Sequence, residues 1–271
     1  MARAKTSVTG KSPSGSAAAD AADGKWAEMS IADLHPFEGH PFKVLDDDLM
    51  AQTVESIKQI GIVSPLVVRT DPDGGFEILS GHRRLHAAQL AGLETVPVIV
   101  KEMDDDAAII FMVDSNLQRE NILPSERAFA YKMKLDAMKH QGQRADLTST
   151  QVVSKLRSAE EIGQQNNQSR ETVRRFIRLT NLSPEILDMV DEKKIAFNPA
   201  VELSYLKPEE QKDFLKAMDY AQATPSLSQA QRIKKLSQEG KCTEEAMCAV
   251  MDEIKNCLLY TSPSPRDRQK S

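Results

Sequence analysis

The stretch Glu77-Ile-Leu-Ser-Gly-His-Arg-Arg-Leu-His-Ala-Ala88 decides the fold of this chain. It begins as a short buried strand, and Ser80 and Gly81 predict a tight turn. A helix follows, which opens with Arg83 and Arg84. The first N–H groups of a helix lie at the positive end of its dipole, and a glycine ahead of them lets the backbone approach an anion. The stretch therefore predicts a phosphate site, and the alternative is a plain strand-to-helix corner with solvated arginines.

Short strands and helices alternate on both sides of this stretch. A helix is predicted from the carboxylates at 46–48 to Gly61, and a second from Gly81 to Gly92. Pro97 lacks an N–H group, so its strand is expected at a sheet edge. The predicted strands are residues 66–69, 76–79 and 96–100. The pattern predicts a small α+β domain.

The composition bounds the class of protein. The chain has 271 residues and a formal net charge of -5, with 40% hydrophobic and 28% charged residues. The length predicts two domains, and a negative total still allows a local basic face for DNA. No apolar run approaches ~18 residues, so no membrane span is expected. The three cysteines lack CxxC spacing, so neither a zinc site nor a disulfide framework is indicated, and a reducing cytoplasm fits.

After Asp104 the strand signals vanish and helix follows helix. Helices are predicted over 105–116 and from Pro124 to about His140, and 141–150 is expected to be a loop.

The segment between these two helices, Asp114-Ser-Asn-Leu-Gln-Arg-Glu120, is unusually polar. Asn116, Gln118 and Arg119 would complete an anion or nucleotide site opened by Gly81 and its arginines. The alternative is an ordinary helix end with a solvated charged loop.

The second informative stretch is residues 159–178. A short helix containing Gly163, a polar turn near Asn167 and a second helix from Ser169 have helix-turn-helix spacing, with Val173 and Ile177 facing inward. The second helix is rich in arginine, as DNA binding requires, and the alternative is a tight corner of two helices with a solvated basic face. The candidate DNA-binding residues are Gln168, Ser169, Arg170, Thr172, Arg174, Arg175 and Arg178.

The remaining segments complete the predicted domain organisation. Residues 1–25 are expected to be a disordered arm. Residues 226–256 are predicted to form C-terminal helices, either for self-association or for plain packing. Residues 257–271 break the helical pattern and resemble a sequencing adapter read in frame, so a non-native tail after a truncation near 256 is suspected. A real disordered tail is the alternative.

Together these stretches resemble the ParB family of chromosome and plasmid partition proteins, especially members from plasmids and mobile elements of Firmicutes-type bacteria. Ser-Gly-His-Arg-Arg at 80–84 resembles the family's Gly-Glu-Arg-Arg box, and Ser-Asn-Leu-Gln-Arg at 115–119 resembles its Glu-Asn-Leu-Gln-Arg box. His40-Pro-Phe42 stands where the family has Gln-Pro-Arg. The two boxes occur in order and precede a helix-turn-helix.

The resemblance implies a mechanism and a domain plan. Residues 26–115 would be the N-terminal nucleotide-binding domain, and residues 116–225 the helical DNA-binding domain. Family members bind a palindromic centromere-like site as homodimers, bind CTP with Mg²⁺, close into a sliding clamp and stimulate a ParA-type ATPase. A cytoplasmic protein associated with the nucleoid or a plasmid is implied. The implied nucleotide-binding residues are Ser80, Gly81, His82, Arg83, Arg84, Asn116, Gln118 and Arg119, with Asn116 also at the metal.

Three departures from the family pattern bear on activity. Ser115 replaces the acidic residue that the family uses around the metal and for hydrolysis, and Asp114 points about 100° away on a helix. His82 replaces a glutamate and Phe42 an arginine. The resemblance therefore implies at most a weak CTPase.

Two other functions are compatible with these residues. The first is a DNA-binding transcriptional or nucleoid regulator that kept the fold without nucleotide switching. The second is an enzyme like sulfiredoxin, whose small α+β domain is similar, but that chemistry needs a cysteine in the glycine turn and none is present at 80–82.

Overall fold

A computed structural model describes residues 26–44, 46–71, 74–119, 121–145, 159–166 and 168–258. The chain divides into two compact units, Met1–Gln118 and Arg119–Ser271. The predicted arm, the predicted backbone conformation of Asn167 and residues 259–271 of the predicted tail lie outside the described residues.

The first unit contains a mixed five-stranded sheet with the strand order β1-β5-β3-β4-β2. β1 and β5 run antiparallel, as do β3 and β4, whereas β5 with β3 and β4 with β2 run parallel. The strands are β1 (Trp26–Ser30), β2 (Leu34–Pro36), β3 (Leu66–Thr70), β4 (Phe76–Ser80) and β5 (Thr95–Val100). The three strands predicted from alternating apolar residues are confirmed.

The expectation that Pro97 marks a sheet edge is wrong. β5 lies inside the sheet, between β1 and β3. Its ladder with β3 begins at Val98, so the missing N–H of the proline falls just outside that ladder. The backbone carbonyls of Ser64 and Pro65, which precede β3, accept hydrogen bonds from the Arg84 side chain. Because Arg84 supplies donors to those carbonyls, they do not depend on the N–H group that Pro97 lacks. An interior strand therefore tolerates a proline at this position.

Three helices accompany the sheet: α1 (Asp48–Ile60), α2 (His82–Ala91) and α3 (Asp105–Leu117). Asp47 caps α1 by accepting the Met50 N–H at 2.8 Å, and Gly61 ends that helix, as the sequence predicts. On α2, Leu85, Ala87 and Ala88 are buried, whereas Leu90 is 52% exposed.

An ion cluster in which Arg69 and Glu77 are buried and the Asp105 side chain is 81% exposed ties α3 to the sheet. Arg69 on β3 donates to Glu77 Oε2 at 2.6 Å and to Asp105 Oδ1 at 2.7 Å. Desolvation lowers the pKa of Arg69, but the hydrogen bonds to Asp105 and Glu77 outweigh it, so the net direction is upward. Because Asp105 begins α3, the cluster fixes where that helix starts against β3 and β4.

The described part of the second unit is helical. Its helices are α4 (Pro124–Ala145), α5 (residues 159–165), α6 (Arg170–Leu179), α7 (Pro184–Asp191), α8 (Phe197–Leu203), α9 (Pro208–Ala221), α10 (Leu227–Gln238) and α11 (Glu244–Leu258). The predicted loop at 141–150 is wrong for residues 141–145, which continue α4. The predicted end of the helical pattern at 257 is also wrong, because α11 includes residues 257 and 258.

One hydrophobic core runs through α6 to α11. Leu179, Phe214, Ile233 and Met247 are fully buried in it. The segment predicted as separate C-terminal helices therefore shares its core with the helix-turn-helix region. Among the described residues, no helix combines the length and apolarity needed to cross a membrane. The predicted fold class, an α+β domain followed by a helical domain, is confirmed.

Candidate nucleotide and nucleic-acid sites

The glycine turn before α2 is built as the sequence predicts. Gly81 has φ +108°, in the left-handed region, and its carbonyl accepts the Leu85 N–H at 2.9 Å to start the helix. A Cβ at this position would lie 2.9 Å from Leu66 Cγ and 3.3 Å from a guanidinium nitrogen of Arg84. Both the angle and the space therefore require glycine. Ser80 precedes it as the last, half-buried residue of β4.

Arg83 faces the start of α1. Its guanidinium donates to Asp47 Oδ1 at 3.1 Å, and 28% of its side chain remains exposed. The hydrogen bond from Arg83, with that from the Met50 backbone N–H, lowers the pKa of Asp47 below its ordinary value of 3.8. The Asp47 carboxylate thus holds Arg83 in the way that a phosphate oxygen would.

Arg84 has a structural role. Its Nη1 donates to the backbone carbonyls of Ser64 at 2.5 Å and Pro65 at 2.6 Å. Desolvation by burial lowers the pKa of this guanidinium. The side chain also lines an open cavity of about 420 Å³ between α1 and the loop at 61–64. Of the two predicted phosphate-binding arginines, Arg84 braces the loop and Arg83 presents the more available donor.

His82 points into the protein. It is 7% exposed, and its ring lies 3.7 Å from that of His40, centroid to centroid. The His40 ring also meets Phe42 edge-on at 5.5 Å, and its Nδ1 bonds the Phe42 carbonyl at 2.9 Å. The residues at two of the sequence departures, 42 and 82, therefore both contact His40. The backbone N–H of His82 lies in the first turn of α2, where helix N–H groups have no intrahelical partner.

One further pair joins the two helices. His86, about one turn beyond Arg83 on α2, has its Nε2 2.7 Å from Oδ1 of Asp46, which immediately precedes the α1 cap Asp47. From the sequence, the acidic run at 46–48 is predicted only to begin a helix. The contact between this acidic run and the basic side chains of α2 depends on tertiary packing. The sole signal of it in the sequence is three adjacent carboxylates.

The second predicted box lies at the end of α3. Asn116 is 1% exposed, and its Nδ2 donates to the Met112 carbonyl at 2.8 Å. The hydroxyl of Ser115 donates to the same carbonyl at 2.9 Å. Gln118 is the exposed C-terminal cap of α3, and Arg119 is the first residue of the second unit.

These residues fit Mg²⁺ in a limited way. Mg²⁺ in nucleotide sites is held through one or two carboxylates together with phosphate oxygens. With its amide nitrogen engaged, Asn116 can offer a neutral oxygen, whereas Ser115 supplies no carboxylate. Among the described residues, no group of three or more His, Cys, Asp and Glu side chains could hold a metal ion. The described side chains of this box therefore do not form a metal site by themselves.

Cys242 and Cys248, the two cysteines whose side chains the structure describes, do not favour thiol chemistry. Burial, with the nearby carboxylates of Glu210 and Asp213, raises the pKa of Cys242 to about 11. Burial also raises the pKa of Cys248. A thiol that stays protonated is a poor nucleophile, so neither cysteine has the character that a sulfiredoxin-like reaction requires.

The predicted helix-turn-helix is formed by α5 and α6. A Cβ on Gly163 would lie 2.6 Å from the Gln168 carbonyl oxygen, so the turn closes directly over this glycine. The Gly163 carbonyl accepts the Gln168 N–H at 2.8 Å. Ser169, predicted as the first helical residue, caps α6 by accepting the Thr172 N–H at 3.1 Å. Val173 is fully buried beneath the helix, and Ile177 is half-buried.

The arginines of α6 fall into two groups. Arg170 is exposed and Arg174 is half-buried on the outer face. Arg175 donates to Asn198 Oδ1 at 2.6 Å. Arg178 donates to the hydroxyl and the carbonyl of Ser204, both at 3.2 Å. The last two side chains are thus oriented by α8 and the residue that follows it.

Sequence reasoning missed the residues that support α6. The ammonium group of Lys134 on α4, 1% exposed, donates to Gln165 Oε1 at 2.5 Å, at the end of α5. Tyr131, also on α4, meets the Phe176 ring edge-on at 5.9 Å. A lysine within an amphipathic helix is normally read as exposed, so only the packing could identify this contact.

These features define a two-domain protein with a glycine-turn α+β domain ahead of a helix-turn-helix domain. Residues 15–117 match the ParB N-terminal domain, and residues 149–224 match the ParB HTH domain. The chain belongs to the ParB family of chromosome-partitioning proteins.

Two relatives support this assignment by sequence. The probable chromosome-partitioning protein ParB of Vibrio cholerae is 34% identical over 224 residues, which are 83% of this chain and 69% of the relative. Stage 0 sporulation protein J of Bacillus subtilis is 33% identical over 235 residues, covering 85% of this chain and 77% of the relative.

Two solved structures of a third relative, the C-terminally truncated ParB of Caulobacter crescentus, are also similar to this chain. Its complex with the centromeric parS site is 24% identical with a TM-score of 0.45, covering 77% of this chain and 98% of that chain. Its complex with CTP-gamma-S is 28% identical with a TM-score of 0.34, covering 67% of this chain and 92% of that chain.

Proposed function

We propose that this chain is a sequence-specific DNA-binding partition protein whose N-terminal domain binds CTP and gates a clamp on DNA. The observation that carries the proposal is the outer face of α6, where Arg170 and Arg174 project from a helix whose turn is closed over Gly163. A helix set out in this way can enter a major groove and place arginines on bases and phosphates.

The nucleotide part of the proposal rests on the α2 N-terminus. Three features converge there: a left-handed glycine, the first N–H groups of a ten-residue helix, and the Arg83 guanidinium. Together they suit a phosphate chain. The phosphate would compete with Asp47 for Arg83, and Asn116 would offer its amide oxygen to the accompanying Mg²⁺. Such an ion would neutralise negative charge on the phosphate chain.

The partners follow from the family and from symmetry. A palindromic site calls for a two-fold homodimer, with one α6 in each half-site. A ParA-type ATPase is proposed as the protein partner because the family couples centromere binding to such a motor. A cytoplasmic location on the nucleoid or on a plasmid is part of the same proposal.

Selection of bound sequences from random duplexes, with and without CTP and Mg²⁺, tests the DNA function. We expect one palindromic sequence to be enriched. Arg174→Ala should weaken binding and reduce the slope of log K against log salt by about one phosphate contact. Lys216→Ala on α9, whose ammonium pairs with Asp213 and Glu244, is the matched control. Unchanged binding by the Arg174 variant would contradict the assignment of α6 as the reading helix.

A second function, a DNA-binding regulator without nucleotide switching, is favoured by Ser115, which replaces an acidic residue of the family. CTP titration separates the two functions. The readouts are cysteine crosslinking between protomers and retention of the protein on closed circular DNA. Nucleotide-dependent crosslinking and retention on the circle support the clamp. Specific binding with no response to CTP supports the regulator.

A further inference from the structure

The basic surface of the second unit continues past the recognition helix. On α6, Arg178 lies about 80° around the helix axis from Arg170, with Arg174 between them. The three side chains thus form one stripe, and its last member reaches Tyr205, just beyond α8. The Arg178 Cζ lies 3.5 Å from the centre of the Tyr205 ring.

A second cation contacts the same ring from another helix. The Nζ of Lys234 on α10 lies 3.7 Å from the centre of the Tyr205 ring. The two distances add to about 7 Å, so the cationic groups of Arg178 and Lys234 are no further apart than that. Charges this close lie within one Debye length at physiological salt and repel each other. Glu202, 2.8 Å from the Lys234 ammonium, offsets one of the two charges.

The helix that carries Lys234 is itself basic. α10 contains Arg232, Lys234 and Lys235 and no acidic residue. Its apolar side, including Ala230 and Ile233, is buried in the core, whereas Arg232 and Lys235 are exposed. The neighbouring α9 differs, because its two lysines lie on a helix that also carries Glu209, Glu210, Asp213 and Asp219. α10 therefore presents net positive charge to solvent beside the stripe of α6.

We infer that α10, which lies beyond the residues matched to the family's HTH domain, is a second DNA-contacting element that binds backbone phosphates. The Tyr205 ring contacts both cations and so aligns Lys234 with Arg178. The exposed ring, 42% accessible, holds both cations by cation–π attraction, and a phosphate between or beside them relieves their repulsion. The contact carries no base information, so it raises affinity for any duplex. This inference rests on the proposed DNA-binding function.

The test is the salt dependence of duplex binding by the full chain, using one selected and one random duplex. Lys234→Gln with Lys235→Gln should lower the salt slope by about 1.8 and weaken binding ~10- to 30-fold near 0.15 M salt, on both duplexes alike. Lys212→Gln with Lys216→Gln on α9 removes the same charge and should leave the slope unchanged. Gln keeps helix propensity in both pairs, and circular dichroism checks the fold.

The role of the Tyr205 ring is tested by two substitutions of that residue. Tyr205→Phe keeps the ring and should bind as the unmodified chain does. Tyr205→Leu removes the ring and should lose about one unit of slope. Equal slopes for the α10 and α9 variants overturn the inference, as does a loss confined to the selected duplex. If the unmodified chain binds neither duplex, the proposed function itself has failed.

Discussion

At the residue scale, the glycines that flank α2 differ in what surrounds them. Gly81 and Gly92 both have left-handed backbones, with φ +108° and +79°. A Cβ on Gly81 meets Leu66 and Arg84, whereas the space around Gly92 is open within 4 Å. The same residue type thus serves as a packed turn at one end of the helix and as a simple cap at the other.

Gly81→Ala should destabilise the N-terminal unit by about 2–3 kcal/mol, because it adds a steric clash to the cost of a left-handed alanine. Gly92→Ala should cost only about 1 kcal/mol, since it meets the backbone cost alone. Denaturant unfolding of both variants measures the difference. Equal losses would show that the space around Gly81 can relax.

Asp47 is the residue whose role most depends on the proposed function. Asp47→Asn keeps a side chain that caps α1 and removes the carboxylate that holds Arg83. We expect CTP to bind several-fold more tightly, because the phosphate no longer displaces an internal anion. Isothermal titration measures the change, with Asp104→Asn at the N-cap of α3 as the matched control. Weaker binding by the Asp47 variant alone would refute the competition.

Ser115 tests hydrolysis at one side chain. Ser115→Glu restores an acidic residue where the family has one, beside Asn116. Phosphate release from CTP should rise at least ~10-fold, as expected for a positioned acid or base. Asp114→Glu, one position away and pointing about 100° elsewhere, should change nothing. A flat rate in both variants would show that the side chain at 115 does not limit hydrolysis.

At the element scale, α5 closely approaches the turn that leads into α6. A Cβ on Gly163 would lie 2.6 Å from a backbone oxygen, and backbone cannot move aside as a side chain tip can. Gly163→Ala should therefore weaken DNA binding and lower the stability of the second unit by about 1–3 kcal/mol. Gln164→Ala, on the exposed side of α5, should leave both unchanged.

Gel-shift titration and thermal unfolding measure the two effects of Gly163→Ala. Normal binding by that variant would mean that the turn does not set the angle of α6. In that case, the hydrogen bond from the buried Lys134 to Gln165 would be the feature that holds α5 in place.

At the scale of the whole molecule, the chain carries separate cores in its two units. Val68 and Ile78 belong to the sheet core of the first unit, and Phe214 and Ile233 to the helical core of the second. A ligand that binds one folded unit stabilises that unit by mass action, about 2.7 kcal/mol at one hundred times its dissociation constant.

Hydrogen exchange with each ligand should therefore separate the two functions. CTP with Mg²⁺ should slow exchange chiefly in β4 and α2, and duplex DNA chiefly in α5, α6 and α10. Mass spectrometry of peptides from each unit provides the measurement, and a non-hydrolysable adenine nucleotide is the control for CTP. Protection of the second unit alone by both ligands would contradict the assignment of the glycine turn as a nucleotide site.

Local sequence determined most of the elements and the candidate ligand chemistry. Apolar periodicity, the Gly81 turn, the capping Asp47 and Ser169, and the arginine-rich α6 are all properties of adjacent residues. Backbone preferences and helix-dipole effects act over that same short range. The elements can therefore be predicted from a single amino-acid sequence.

Only the tertiary structure decided which of those side chains are available. In the folded chain, Arg84 donates hydrogen bonds to the carbonyls of Ser64 and Pro65. The His82 ring packs against that of His40, and Pro97 lies on an interior strand of the sheet. Likewise, Lys234 meets Tyr205 only because α8 and α10 pack together. Such contacts join residues far apart in sequence, and no local pattern encodes them. Burial and partner choice are therefore consequences of the folded chain.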